Sequence, residues 1–265
     1  MSQNPIGIAT LGLDPFGPTV GSRYPDGLVS QGISAELIAA RWGIERDTLD
    51  EFASRSHRLA AASDFSSEIL PVGDRLSVDE TVRPGTTVEG LRELKPSFYD
   101  EAMARRFPEI AWRVTAGNSS PLTDGASAVL IMSEDRAARL GLTPRARFHS
   151  FAVGGSDPIE MLTGIIPVTR RILEKAGLSV DDIDTFEVNE AFASVPLAWQ
   201  QELGADPARV NPRGGAIALG HPLGSSGPRL LTTLVNTLET TGGRYGLQTM
   251  CEGGGMANAT IIERV

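Results

Sequence analysis

Strand-like and helix-like patterns alternate from residue 146 to the C-terminus, and this order limits the possible folds more than any other feature of the sequence. Helical patterns begin near Pro167, Ala191 and Pro228 and separate the strand-like patterns. The strand-like patterns cover residues 146–153, 185–188, 246–250 and 257–263. Such alternation is typical of an α/β layer built on a mostly parallel sheet. We therefore predict an α/β fold for the second half of the chain.

The first part of the chain is predicted to consist mainly of helices and loops. Met1 to Gln31 is rich in Gly and Pro and is predicted to be a loop. Ser34 is predicted to cap a helix that ends at Trp42, and Asp47 is predicted to cap a second helix. The second helix carries one buried stripe, formed by Leu49, Phe52, Ala53, Ser56 and Ala60. Residues 64–96 are poor in large apolar side chains, which favours a small peripheral lobe.

A continuous apolar run, Ala126 to Met132, is followed by Ser133, a residue type that caps helices. The run predicts a strand that is buried on both faces, and Ser133 predicts a helix that ends near Gly141. Without neighbouring strands the run would expose apolar surface and unpaired backbone groups. We therefore expect residues 1–265 alone to be aggregation-prone or to be completed by another chain.

Composition and charge argue against several classes of function. The chain has 265 residues, of which 41% are hydrophobic, and a formal net charge of −9. Its Lys and Arg residues are dispersed, which argues against a nucleic-acid surface, and no apolar run is long enough to cross a membrane. Met1 to Pro18 lacks the pattern of a signal peptide. The single cysteine, Cys251, allows no disulfide within the chain, which favours the reducing cytoplasm, and no zinc-ligand spacing is present.

One histidine lies in a glycine-rich loop just before a strong helical pattern. Five glycines surround His221 between Asn211 and Gly227, and glycine lets the backbone approach a ligand closely. A lone histidine is usually structural, but histidine is also the usual general base near neutral pH. His57, predicted on the solvated side of its helix, and His149, within a strand pattern, are weaker candidates.

Two further polar residues are predicted at the ends of strands. Asn189 lies between a strand and a helix, at the kind of edge where α/β proteins bind ligands, although it could serve only as a helix cap. Cys251 is followed by Glu252 and three glycines. The amides of that glycine run could form an oxyanion hole and lower the pKa of the thiol. The alternative is that Cys251 is a small buried apolar residue.

Together these segments resemble the thiolases, which are acetyl-CoA acyltransferases and acetyltransferases. The matching motifs are Asn189-Glu190-Ala191-Phe192, Gly220-His221-Pro222 with the loop before it, and Cys251-Glu252-Gly253-Gly254-Gly255. Their order and spacing fit the family, as does the stretch from Val114 to Ala126. The resemblance implies a thiolase-like α/β fold. It assigns residues 1–136 to the loop domain and a remnant of the first half, and residues 137–265 to the complete second half.

Thiolases move an acyl group between CoA thiols through a nucleophilic cysteine that a histidine activates, and CoA is a substrate rather than a bound cofactor. The resemblance makes His221 the activating histidine and half of an oxyanion hole. It makes Asn189 the holder of the water that completes this hole, and Cys251 the acid/base cysteine. The backbone N–H of Gly253 would line a second oxyanion hole.

The resemblance also implies residues that contact the substrate. It places four residues along the CoA slot: Ser120, Ala116, Ala191 and Phe192. Gln31 stands where short-chain biosynthetic members have a methionine, which favours a degradative enzyme with a longer or bulkier substrate. The family further implies a homo-oligomer, or a complementing chain that carries the N-terminal half, and the charge distribution and short apolar runs argue against nucleic acid and membrane as partners.

The nucleophilic cysteine of the family has no counterpart in this sequence, because its motif already assigns Cys251. Three hypotheses follow. The first is a thiolase-type acyltransferase whose nucleophile lies on a missing segment or on a separate polypeptide. The second is a non-catalytic module that binds CoA or acyl-CoA. The third is an altered enzyme in which Cys251 and His221 hydrolyse or decarboxylate acyl-CoA.

Overall fold

The computed structural model describes residues 21–265, and within them four strands form one mixed sheet. The strands are β1 (Ala146–Gly155), β2 (Thr185–Val188), β3 (Tyr245–Cys251) and β4 (Met256–Arg264). Their order across the sheet is β1-β4-β3-β2. β2 and β3 are parallel, whereas β4 is antiparallel to both β1 and β3. The four strand predictions and the α/β class are confirmed.

The prediction of a mostly parallel sheet is wrong, because two of the three pairings between the described strands are antiparallel. β1, β2 and β3 run in the same direction, but β4 runs against them and separates β1 from β3. The cause is the short turn at residues 252–255, which reverses the chain after β3 and lets β4 pair with β3 at once. A connection this short can join only antiparallel neighbours.

Helices cover both faces of this sheet. The helices that build the core and the site are α1 (Gln31–Arg41), α2 (Arg46–Ala62), α3 (Val88–Arg92), α4 (Glu101–Arg106), α5 (Glu134–Leu140), α6 (Ile165–Ala176), α7 (Ser194–Leu203), α8 (Ala216–Leu219) and α9 (Ser226–Thr241). On β4, Ile261 belongs to the core cluster of α6, and Ile262 packs with Leu234 of α9. Successive side chains of a strand point to opposite faces, so α6 and α9 lie on opposite sides of the sheet.

The cap of α1 lies four residues before the predicted one. Ser30, rather than Ser34, caps the helix, and its hydroxyl accepts a hydrogen bond from the backbone N–H of Ile33 at 3.4 Å. Ser34 is buried inside the helix. The earlier start brings Ile33 into the apolar cluster with Leu37, and this burial favours the longer helix.

The cap predicted for α2 is also misplaced. Glu45 precedes the helix, and Asp47 lies in its first turn, where it pairs with Arg92 of α3 at 2.7 Å. The predicted cap of α5 by Ser133 is confirmed. The predicted helix end near Gly141 is confirmed as well, and Gly177 and Gly242 end α6 and α9 in the same left-handed conformation.

The buried stripe predicted on α2 is confirmed, because Leu49, Phe52, Ala53, Ser56 and Ala60 are all buried. The solvated position predicted for His57 is wrong. His57 is only 6% exposed, and its Nδ1 accepts a hydrogen bond from the backbone N–H of Arg83 at 3.2 Å. Arg83 belongs to the peripheral segment at residues 64–96, which covers this face of the helix. His149 lies on β1, as predicted, and its ring meets the edge of Tyr245.

The strand predicted at Ala126 to Met132 does not form. These residues have no regular structure, and Leu130 is 81% exposed. Within residues 21–265 no strand pairs with this run, so its backbone remains irregular. The expected exposure of apolar surface is confirmed. The run lines a groove of about 530 Å³ together with Leu231 of α9 and Ile262 of β4.

The predictions for Met1 to Pro18, and most of the loop predicted up to Gln31, lie outside the described residues. In residues 21–265, no helix combines the length and the apolar character needed to cross a bilayer.

Candidate active site

Asn189 and Cys251 lie at the same edge of the sheet because they end neighbouring parallel strands. Val188 of β2 pairs with Thr249 of β3, and the backbone N–H of Asn189 donates to the carbonyl of Thr249 at 3.1 Å. Cys251 follows two residues later, at the end of β3. The carboxyl ends of parallel strands are where α/β proteins bind ligands. The structure therefore brings these two predicted residues to one edge.

His221 reaches this edge from the loop between α8 and α9. Its Nε2 lies 3.4 Å from Nδ2 of Asn189, and its backbone N–H donates to the carbonyl of Pro121 at 3.0 Å. Within residues 21–265 the two ring nitrogens of His221 bond to Asn189 and Ser226 rather than to Cys251. Asn189 and His221, which the resemblance assigns to one oxyanion hole, are thus in direct contact, whereas Cys251 ends the neighbouring strand.

The hydrogen bonds of Ser226, the first residue of α9, fix the tautomer of His221. The Ser226 hydroxyl donates its only proton to the carbonyl of Pro222 at 3.0 Å. It can therefore only accept at its 2.6 Å contact with Nδ1 of His221, so Nδ1 carries the hydrogen and the lone pair of Nε2 faces Nδ2 of Asn189. Burial lowers the pKa of His221, which keeps the ring neutral at pH 7. Nε2 can therefore act as a base toward a group placed at the sheet edge.

We expect Ser226→Ala to destroy this tautomer preference. Without the hydroxyl acceptor, Nδ1–H loses its partner, and the two neutral tautomers should become mixed. The measurement is the ¹⁵N chemical shift of the imidazole in histidine-labelled protein. Ser225→Ala is the matched control, because it removes the neighbouring hydroxyl without touching the ring. Unchanged Nδ1 and Nε2 shifts in Ser226→Ala would contradict the assignment.

The pKa of the Cys251 thiol is shifted in the opposite direction to the one that the sequence suggested. Its side chain is buried, and burial raises the pKa of the Cys251 thiol to about 12, so the expectation of a lowered pKa is wrong. The backbone amide contribution lowers the pKa, but the loss of solvation outweighs it. Cys251 is therefore a protonated thiol at neutral pH, suited to giving a proton and poorly suited to being a nucleophile.

The reaction of Cys251 with iodoacetamide should reveal this raised pKa. Only the thiolate reacts, so we expect the rate in the native protein to rise about tenfold per pH unit from pH 7 to 10 without a plateau. In urea-denatured protein the rate should level off near the ordinary thiol pKa of about 8.5. The denatured chain is its own control. A plateau below pH 9 in the native protein would overturn the assignment.

Gly253 and Gln31 lie side by side next to Cys251. Gly253 begins the turn at residues 253–255, and a Cβ at this position would lie 3.9 Å from Nε2 of Gln31, the first residue of α1. The start of α1 thus faces the glycine run after β3. This position suits Gln31 for contact with a substrate chain that approaches Cys251.

The residues predicted to line the CoA slot are only partly brought together. Both the backbone N–H and the hydroxyl of Ser120 donate to the carbonyl of Ala191, at 3.0 and 3.1 Å. Phe192 is buried and meets Phe98 edge to face at 5.7 Å. Ala116 is exposed on a turn four residues before Ser120. Ser120, Ala191 and Phe192 therefore form one unit beside Asn189.

Sequence reasoning missed a buried network that holds the histidine loop in place. The carboxylate of Glu190 accepts hydrogen bonds from Ser56 of α2 at 2.7 Å, from Asn211 at 2.8 Å and from the backbone N–H of Ile217 at 3.1 Å. The Ser56 hydroxyl also accepts from the N–H of Gly215 at 3.0 Å. The available signal was Ser56, a polar residue on an otherwise apolar stripe.

Among residues 21–265, no group of three or more His, Cys, Asp or Glu side chains is arranged to hold a metal ion. The edge carries an imidazole base, a carboxamide, a thiol and the backbone amides of a glycine turn. These groups are typical of acyl-transfer chemistry.

Two family models match the chain. The model described as Thiolase, N-terminal domain, matches residues 21–135, and the model described as Thiolase, C-terminal domain, matches residues 142–264. A steroid 3-ketoacyl-CoA thiolase, FadA6, of Mycobacterium tuberculosis is 48% identical over 100% of this chain and 66% of its own length. A 3-ketoacyl-CoA thiolase of Klebsiella pneumoniae is 47% identical over 88% of this chain and 62% of its own length.

Solved structures give the same result. Human mitochondrial 3-ketoacyl-CoA thiolase in complex with CoA matches with a TM-score of 0.83 at 40% identity, over 89% of this chain and 59% of the human one. A Bacillus anthracis acetyl-CoA acetyltransferase matches with a TM-score of 0.80 at 36% identity, over 89% of this chain and 60% of the other. The chain spans about two thirds of the length of the curated relatives that it matches. On sequence and fold together, the chain belongs to the thiolase family.

Proposed function

We propose that this chain contributes the acid/base half of a thiolase-type acyltransferase. The reaction moves an acyl group between acyl-CoA and CoA, by thiolysis of a 3-ketoacyl-CoA or by the reverse Claisen condensation. The observation that carries this proposal is the neutral Nε2 of His221 beside Asn189, at the same sheet edge as the protonated thiol of Cys251. The 3-ketoacyl-CoA thiolases among its relatives support the same reaction.

In this proposal, each group at the edge has a defined role. Nε2 of His221 takes the proton of the nucleophilic thiol, and the resulting N–H then donates to the acyl oxygen. Asn189 positions the water that completes this oxyanion hole. Cys251 passes a proton to and from the carbon or sulfur that leaves, and the N–H of Gly253 lines a second oxyanion hole.

Substrate contacts follow from the same arrangement. We propose that the pantetheine of CoA lies along Ser120, Ala191 and Phe192, with Ala116 at the rim, and that CoA is a substrate with no separate cofactor. Gln31, beside Gly253, contacts the acyl chain and favours a degradative role with a longer or bulkier substrate. We also propose a cytoplasmic location, because the single cysteine can form no disulfide within the chain.

The nucleophilic cysteine remains to be supplied. Residues 1–265 contain one cysteine, and the raised pKa of Cys251 makes it a poor nucleophile. We propose that polypeptide outside these residues carries the nucleophile, and that the enzyme is an oligomer or a complex with a complementing chain. The apolar groove of about 530 Å³ beside Leu130 and Leu231 supports this, because apolar surface of this extent favours a covering partner.

A non-catalytic CoA-binding module is the second candidate, and the single cysteine favours it. The experiment that separates the two measures CoA-dependent cleavage of 3-ketoacyl-CoA by the protein purified from its native host with every polypeptide that accompanies it. We expect thiolysis, with the acyl group found by mass spectrometry on a cysteine other than Cys251. CoA binding without thiolysis would support the second candidate and refute the first. Acyl-CoA hydrolysis that Cys251→Ala abolishes would instead support an altered hydrolase.

A further inference from the structure

We propose that Glu187 holds one ordered water against Asn189 and that this water fixes the orientation in which the Asn189 amide faces His221. Glu187 is thereby a positioning residue. Its catalytic consequence rests on the proposed function, whereas the water site itself rests on geometry alone.

The pleat of β2 places Glu187 and Asn189 on the same side. Phe186 points to the opposite face, where its ring meets Trp199 of α7 at 5.2 Å. Glu187 and Asn189 line a small internal cavity under α9, together with Gly215, Ser226 and Thr233. The cavity measures about 10 Å³, which is roughly the space of one water molecule.

Two oxygen atoms at this cavity have no partner among the described residues. They are Oε1 of Glu187 and Oδ1 of Asn189, and their residues are 1% and 2% exposed. Buried oxygens of this kind are normally satisfied, because leaving them without a donor destabilises the fold. Oδ1 of Asn189 accepts, and the carboxyl group of Glu187 can accept through its carbonyl oxygen or donate through its hydroxyl, so one water molecule, with two hydrogens and two lone pairs, can bond to both. One water in this cavity therefore satisfies both oxygens at once.

Burial and the charges around Glu187 favour its protonated form. Burial is the main cause that raises the pKa of Glu187 well above its ordinary value, and Glu190 and Glu68 raise it further. Arg229 and Arg213 act in the opposite direction but more weakly. Its raised pKa favours the protonated carboxyl group, of which glutamine is a close isostere.

The water and the Nε2 lone pair of His221 favour the same orientation of the Asn189 amide. With Oδ1 held by the water, Nδ2 points at Nε2 of His221, 3.4 Å away. Without the water, only the contact with Nε2 of His221 distinguishes the two ends of the amide. A flipped amide would present its oxygen to the lone pair of Nε2, which is repulsive. Loss of the water should therefore misplace the amide without altering the imidazole itself.

The first test is structural and needs no activity. Crystal structures of the wild type, Glu187→Gln and Glu187→Leu are compared, each with its accompanying polypeptides. We expect a water within hydrogen-bond distance of residue 187 and of Asn189 Oδ1 in the wild type and in Glu187→Gln. In Glu187→Leu the larger apolar side chain should displace it. A dry cavity in the wild type would overturn the proposal.

The second test measures positioning. We expect Glu187→Leu to lower kcat of thiolysis about tenfold with KM for CoA unchanged, and Glu187→Gln to remain within about twofold of the wild type. The side-chain amide ¹⁵N resonance of Asn189 should shift in Glu187→Leu only. Phe186→Leu is the matched control for a loosened core, because it alters the same strand on its other face.

The outcomes separate this inference from the proposed function. If the water is present and the Asn189 resonance responds, but even the wild type lacks thiolysis, the proposed function fails and the water site stands. If the wild type is active and Glu187→Leu keeps its kcat, the positioning role fails and the proposed function stands. If Glu187→Gln loses as much kcat as Glu187→Leu, a hydrogen-bonding side chain at this position is not what the site requires, and the proposal is refuted.

Discussion

Replacing His221 with alanine is expected to lower kcat of CoA-dependent thiolysis by about 10²–10⁴-fold, the usual contribution of a positioned acid/base residue. The expectation follows from the tautomer that Ser226 imposes, because Nε2 is the ring atom that faces the sheet edge. The measurement is steady-state thiolysis by the enzyme purified with its accompanying polypeptides. His149→Gln is the matched control, since His149 lies on β1 against Tyr245, away from Asn189.

The pH profile adds a second check on the same residue. Burial lowers the pKa of His221, so the neutral form is present at and above the ordinary histidine value and persists below it. The acid limb of kcat/KM should therefore lie below pH of about 6.5. Cys251, with a pKa of about 12, should add no alkaline limb below about pH 10. An acid limb above pH 7, or full activity of His221→Ala, would contradict the role of His221.

The placement of Asn189 and Cys251 could be predicted because it depends on local patterns. Asn189 follows β2 and Cys251 ends β3, and parallel neighbouring strands end at one edge, so both residues lie there once β2 and β3 pair. The order of strands across the sheet was less accessible. The insertion of β4 depends on the turn at residues 252–255 and on partners from 146–155, which periodicity does not report.

Burial-dependent properties could not be predicted from the sequence. The glycine run after Cys251 suggested a lowered thiol pKa, but the pKa depends on how deeply the tertiary structure buries the sulfur. His57 was misplaced for the same reason, because the segment that covers it is distant in sequence. The apolar run at Ala126 to Met132 has strand character, but its chain partners decide whether a strand forms, and residues 21–265 provide none.

The second large effect is expected at Gly214, in the loop that leads to His221. Gly214 has φ of +77°, and a Cβ there would lie 2.5 Å from the carbonyl oxygen of Ser56 and 3.0 Å from Cβ of Ala60. The clash cannot relax easily, because the Ser56 carbonyl oxygen and Ala60 Cβ are held rigidly in α2. The left-handed backbone adds strain of its own. We expect Gly214→Ala to lower the free energy of unfolding by about 2–5 kcal/mol, measured by urea denaturation.

The comparison with Gly177→Ala separates the two causes. Gly177 ends α6 with φ of +66°, and nothing lies within 4 Å of its added Cβ. Gly177→Ala should therefore lose only about 1 kcal/mol of unfolding free energy, through backbone strain. Equal losses in the two variants would show that the contact with α2 does not matter. A larger loss in Gly214→Ala should be accompanied by shifted His221 ring resonances, because Ser56 also holds Gly215 and Glu190. Stability of this loop and the position of its histidine would then depend on the same contact with α2.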